Sequence, residues 1–136
     1  MEYISLCSLW DKNFCSEDVL LIHIENIVSK QSLLDTFANQ IRCPYFGLPE
    51  YGKNWDSLFD CLVDFSWVDQ NEIVIIHSPI INWDSNLKES YLQIVHDIIG
   101  IQISWIKKGN KCKIVRFLFD VNDGEYIKSY FATEYA

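Results

Sequence analysis

Glycine and proline are scarce in this chain, five and three among 136 residues. None of the glycines falls in a GxGxxG, P-loop or GxSxG pattern, so the backbone turns that cradle phosphates or expose a catalytic serine are missing. Positive charge is also short. Eleven Lys and Arg face nineteen Asp and Glu, for a formal charge of -8 and a pI near 4.7. Such a surface repels phosphate backbones and anionic membranes, so no nucleic acid and no membrane is expected as a partner, whereas a cationic protein would be attracted. The same charge also serves plain solubility. Apolar runs are broken well short of a membrane span. Cysteine pairs in CxxC spacing are absent. Cys7, Cys15, Cys43, Cys61 and Cys112 are scattered and odd in number, with no His at zinc-ligand spacing. They read as reduced, mostly buried thiols of a cytoplasmic protein, with no metal and no cofactor. The amino-terminal stretch lacks a basic leader and does not read as a signal peptide.

What is abundant is apolar surface. Hydrophobic residues make up 49% and aromatic residues 15%, ample for one packed core spanning residues 1–136 as a single domain. Tyr3–Trp10 reads as a weak strand, and Val19–Ile24 as a buried one. Ser29 or Ser32 would cap a helix to about Ile41, with Leu33, Leu34, Phe37 and Ile41 on one face. A breaker-rich loop follows from Cys43 to Gly52. Asn54 then caps a second helix carrying Trp55, Leu58, Phe59 and Leu62 at i, i+3, i+4, i+7. Ile73–His77 is a further buried strand. Ser85 would cap a long helix ending at Gly109, and Lys113–Phe119 forms another strand. Asn122-Asp123-Gly124 reads as a turn leading to a last strand at Tyr126–Phe131. Strands alternating with helices predict an α/β fold with a parallel sheet, and the small number of helices favours two layers.

No catalytic constellation can be assembled. His23, His77 and His96 lie in separate elements, and the first two sit inside apolar strand runs, where a satisfied structural histidine is the ordinary case. Asp120 and Asp123 with Gly124 lack the later ligands of a calcium loop. The protein therefore does not read as an enzyme.

The informative stretch runs from Glu50 to Glu72, where six acids face Lys53 alone. Asp56, Asp60 and Asp64 recur every fourth residue and stack along one helix face. Each like-charged i, i+4 pair costs a few tenths of a kcal/mol, ~0.2–0.5. Asp56 gains from the helix dipole in the first turn, but Asp60 and Asp64 do not. A solvated face and a ridge shaped to meet cations both account for the row.

The same residues resemble the barstar family of ribonuclease inhibitors. The pattern YG-x-N-x-D-x-L-x-D-C-L is carried by Tyr51, Gly52, Asn54, Asp56, Leu58, Asp60, Cys61 and Leu62, and is continued by Phe65-Ser66-Trp67. The order of the flanking elements also agrees, over a core of about residues 18–120. The resemblance implies a two-layer fold, a three-stranded parallel sheet backed by helices, with the N- and C-terminal extensions free to add edge strands. It implies a stoichiometric inhibitor, an immunity protein that inserts an acidic loop and helix, about residues 51–67, into the active site of a basic ribonuclease toxin. A 1:1 complex is expected, and a monomer when free. An immunity protein of the same fold directed at a DNase or a non-nuclease toxin is the alternative. By position, Asp60 is the dominant acid standing in for a substrate phosphate, Asp56 its acidic neighbour, and Tyr51 the loop aromatic over the nuclease. Gly52 and Asn54 match loop positions near the partner, and Phe59, Val63, Asp64 and Phe65 match further contacts by spacing. The prototype complex of this family is itself the standard example of electrostatic steering and of strong interfacial charge coupling. Departures are Glu50 before Tyr51, a second loop-like segment at Pro44-Tyr45-Phe46-Gly47 whose Tyr45 or Phe46 could supply an aromatic contact, and Phe59 where the prototype has Trp. The family's acidic contact on its last helix falls on Asp97 by local sequence, or near Ser104 when counted from the helix end.

If all five cysteines are free thiols, all five react with a thiol reagent after denaturation without reductant. Only one or three reactive groups would mean disulfides and a different compartment.

Overall fold

Local chemistry selects each element of the chain. The computed structural model describes residues 3–7 and 18–135, and within it the strands are β1 (Ile4–Cys7), β2 (Val19–Ile24), β3 (Glu72–His77) and β4 (Ile114–Asp120). The helices are α1 (Lys30–Gln40), α2 (Trp55–Asp64), α3 (Ser85–Lys107) and α4 (Gly124–Tyr135), with a 3-10 turn at Val121–Asp123. Ser29 caps α1, its side chain accepting from the Ser32 amide while Ser32 reaches back, a reciprocal capping box. Asp84, rather than Ser85, caps α3.

All strand pairings are parallel, in the order β1-β4-β3-β2. The sheet therefore has four strands where three were expected, the fourth coming from the amino-terminal extension. It pairs Ile4 with Phe117 and runs to Cys7 beside Asp120. The rest of the strand expected over Tyr3–Trp10 lies outside the described residues. One face of the sheet presents Leu20, Ile22, Ile24, Ile73, Ile75, Val115, Phe117 and Phe119 to a core shared with all four helices. On the other face Val74, Ile76 and Leu118 form a smaller buried cluster flanked by Val19 and Leu21.

The carboxy-terminal extension overturns a second expectation. Residues 126–131 are helical rather than a strand, because Ile127 and Phe131, four apart, both bury into the core while Tyr126, Lys128 and Ser129 stay exposed. Asn122-Asp123-Gly124 is no hairpin turn either. The Asp120 carboxylate accepts from the Asn122 amide at 2.8 Å, and the buried Asp123 carboxylate accepts from the Ile80 amide at 2.8 Å. The first bond caps the 3-10 turn, and the second ties the start of α4 to the loop after β3. Gly124 enters so closely that a Cβ there would stand 3.1 Å from Leu6 Cδ1.

Two glutamine amides take up strand groups that lie beyond the ladder. Gln40 accepts from the His23 amide and donates to its carbonyl, both at 2.7 Å, along the outer edge of β2. Gln102, itself 2% exposed, does the same for Val115 on β4, just before the point where β1 begins to pair. Lys113, immediately before β4, secures the same end of the strand by donating to the carbonyls of Val68 and Gln70.

His77 is wholly enclosed. Nδ1 stands 2.8 Å from the Leu118 carbonyl oxygen, Nε2 stands 2.6 Å from the Tyr91 hydroxyl, and the ring stacks on Phe119. Burial depresses its pKa from 6.5 to about 4. Between those values the unfolded chain binds a proton that the native imidazole refuses. Stability is then full above about pH 6.5 and falls as the pH drops toward 4, by about 3 kcal/mol in all. Urea midpoints at pH 7, 5.5 and 4.5 should fall in that order. The same series on His77→Phe should lose most of that slope whatever its absolute stability, and an unchanged slope would exclude His77 as the cause.

Candidate functional site

α2 begins where Asn54 adopts an extended conformation and its Oδ1 accepts from the Ser57 amide at 2.9 Å. The Ser57 hydroxyl accepts from the Asn54 amide at 2.8 Å, closing a second capping box. Leu58, Cys61 and Leu62 are fully buried, and Trp55, Phe59 and Val63 lie half-buried beside them. With that face seated, Asp56, Asp60 and Asp64 are directed to solvent.

The helix ends at Phe65, which takes the left-handed conformation at φ 49 and ψ 24 and donates its N–H to the Cys61 carbonyl. Such a conformation costs a bulky residue ~1–2 kcal/mol. Phe65 is 0% exposed, so its ring in the core offsets that cost. The sequence placed Phe65 among the contact residues. It presents no side-chain surface and instead terminates the helix.

The loop before α2 folds back on itself. Gly47 donates to the Gly52 carbonyl at 2.8 Å, and Gly52 donates to the Leu48 carbonyl at 2.7 Å. Gly52 has φ +86, and a Cβ there would meet Asn54 Nδ2 at 2.9 Å, so this position requires glycine on both counts. The loop brings Tyr45 and Tyr51 together edge to face, centroids 4.6 Å apart, with Trp67 edge-on to Tyr45 at 5.5 Å. Trp67 is itself held by donating its indole N–H to the Ile41 carbonyl.

Both phenols reach the acidic face. Tyr51 donates to Asp60 Oδ2 at 2.9 Å, and Tyr45 donates to Asp64 Oδ2 at 3.1 Å, with the Ser66 hydroxyl also on Asp64 at 3.2 Å. Burial first, and then the carboxylate each one faces, push both phenol pKa values well up, so each remains a donor. Lys53, the one cation in this stretch, turns away to pair with Asp35 on α1. Among the described residues no cation pairs with Asp56, Asp60 or Asp64. The result is an oriented row of carboxylates with aromatic flanks and free acceptor capacity, suited to receiving Arg, Lys or His donors.

Tyr51, Asp56, Asp60 and Asp64 are thus brought together, with Phe59 and Val63 half-buried alongside them and Gly52 and Asn54 shaping the entry to the helix. Tyr45's bond to Asp64 was not anticipated, though its place in a second aromatic-Gly segment marked the residue. Asp97 lies elsewhere in the arrangement. It accepts from Gln93 at 2.9 Å, and its charge is felt by Tyr130 on α4. Among the described residues no group of three or more His, Cys, Asp or Glu is gathered closely enough to hold a metal ion, and no helix is long and apolar enough to cross a membrane.

No curated protein and no solved structure matches the chain. The sequence model of the family described as Barstar (barnase inhibitor) does match, over residues 17–116. That span contains β2, α1, the aromatic loop, α2, β3, α3 and the start of β4, so with most of its length matched the chain belongs to the barstar family of barnase inhibitors.

Proposed function

We propose that the protein is a stoichiometric inhibitor of a basic ribonuclease, acting as an immunity protein that fills the nuclease active site with the loop and helix of residues 51–67. The observation that carries this reading is the pair of tyrosine–aspartate bonds on a carboxylate row that has no cationic partner among the described residues. Asp60, held by Tyr51, takes the place of a substrate phosphate among the nuclease's cationic groups, and Asp56 and Asp64 extend the contact along the helix. Tyr51, Phe59 and Val63 supply its apolar flank, joined by Tyr45. Gly52, Asn54 and Phe65 act indirectly by setting where the helix begins and ends. The net charge of -8 draws a cationic partner in. The complex is one to one, and the protein itself turns over no substrate.

Desolvated charge pairs and exposed ones respond differently to truncation. Asp60→Ala should weaken binding by about 2–5 kcal/mol and act mainly on dissociation, a range characteristic of buried interfacial charge pairs, the family's prototype complex among them. Asp69→Ala, at an exposed position beyond α2, should change mainly the association rate and its salt dependence, by under roughly 1 kcal/mol. Kinetics of wild type and both variants against the cognate ribonuclease at low and high salt separate the two. Small and equal effects would reduce the row to a solvated face.

Removing a single hydroxyl tests the clamp. Tyr51→Phe frees Asp60 while keeping the ring, and should speed dissociation by a factor corresponding to about 1 kcal/mol without altering the unfolding midpoint. Dissociation as slow as wild type would mean that Asp60 needs no orienting partner.

A further inference from the structure

Two thiols meet directly beneath this surface. Cys61 Sγ on α2 lies 3.1 Å from Cys43 Sγ at the start of the aromatic loop, although the residues are 18 apart in sequence. Cys61 is fully buried and Cys43 is half-buried. The sulfurs need approach by only about 1 Å to reach bonding distance. We propose that Cys43 and Cys61 form a redox modification site, at which a peroxide oxidises the pair to an intramolecular disulfide that fastens the loop to α2.

The chemistry balances with hydrogen peroxide as oxidant. The Cys43 sulfur attacks one peroxide oxygen, the O–O bond breaks, and Cys43 becomes a sulfenic acid as one water leaves. The Cys61 sulfur then attacks the Cys43 sulfur. The S–S bond forms, the S–O bond breaks, and the departing hydroxide takes the Cys61 proton to leave as a second water. Two thiols and one peroxide give one disulfide and two waters.

The order of events follows from the surroundings. Burial, and then the adjoining Cys43 sulfur, push the Cys61 pKa up, so Cys61 keeps its proton. Cys43 is the sulfur that an oxidant can reach, and Cys61 is the resolving thiol waiting behind it. Because Tyr45 follows Cys43 by two residues and Asp60 precedes Cys61 by one, the new bond would join the two halves of the acidic surface covalently. The proposal concerns the thiols alone and stands or falls whether or not the acidic face meets a nuclease.

The test is peptide mapping of the folded, full-length protein after brief exposure to dilute hydrogen peroxide, followed by alkylation and digestion with trypsin. Cleavage after Arg42, Lys53 and Lys88 places Cys43 in peptide 43–53 and Cys61 in peptide 54–88. The expected dominant product joins these two peptides and is lighter than their sum by two hydrogens. Dithiothreitol should abolish it, and Cys43→Ser should leave Cys61 unmodified under the same exposure. The proposal is overturned if Cys43 accumulates as sulfinic acid, if it pairs chiefly with Cys7, Cys15 or Cys112, or if Cys61 is oxidised equally well in Cys43→Ser.

Discussion

The seating of Leu58, Cys61 and Leu62 in the core is the constraint on which the acidic surface depends. A helix fixed by those side chains has no rotational choice left, and positions recurring every fourth residue on the opposite side must face water. Each buried leucine is worth about 1.5–3 kcal/mol, against a few tenths for each like-charged pair along the row. The core therefore wins easily, and the protein can hold three carboxylates in a line that an isolated peptide would resist. The same seating sets the far end of the helix, where Phe65 accepts a left-handed backbone in order to keep its ring in the core.

Orientation comes from the other direction, through the aromatic loop. Tyr45 is braced against Tyr51 on one side and Trp67 on the other, and each tyrosine delivers one hydroxyl to one carboxylate. A carboxylate on a free side chain surrenders rotamer entropy when a partner captures it, whereas one already held in place surrenders less. The second loop-like segment, at Pro44-Tyr45-Phe46-Gly47, thus supplies the second of two arms, one for Asp60 and one for Asp64. Lys53 contributes by pairing elsewhere, which leaves the row uncompensated.

Most of the fold was legible because it is written in local periods. Val19–Ile24, the helix after Ser29 and the helix after Asn54 stand where a short apolar run, helical spacing and caps put them. The end of the chain misled for a specific reason. Ile127 and Phe131 are four apart, a spacing that satisfies both a strand face and a helix face, and Asn122-Asp123-Gly124 has the composition of a hairpin turn. Ser129, which a strand face would bury with them, is exposed, and the start of the helix is anchored by the Asp123 bond to Ile80, 43 residues away, which no local pattern encodes. The site shows the same division. The acidic row follows from spacing, but Tyr45 reaches Asp64 across 19 residues, and the burial of Phe65 depends on a backbone reversal that helical counting runs straight through.

A sheet edge is an invitation to further strands, because its outward N–H and C=O groups are ready to pair with any extended chain. β2 lies at such an edge. Gln40 occupies both outward groups of His23 with one side-chain amide, in the geometry that an incoming strand would use. The amide ends the ladder, since it has no backbone behind it to offer the next pair. Self-association along this edge, the route by which open parallel sheets aggregate, must first displace a bidentate bond made within the same molecule. A helix residue chosen for neither its charge nor its hydrophobicity thereby acts as a guard on solubility.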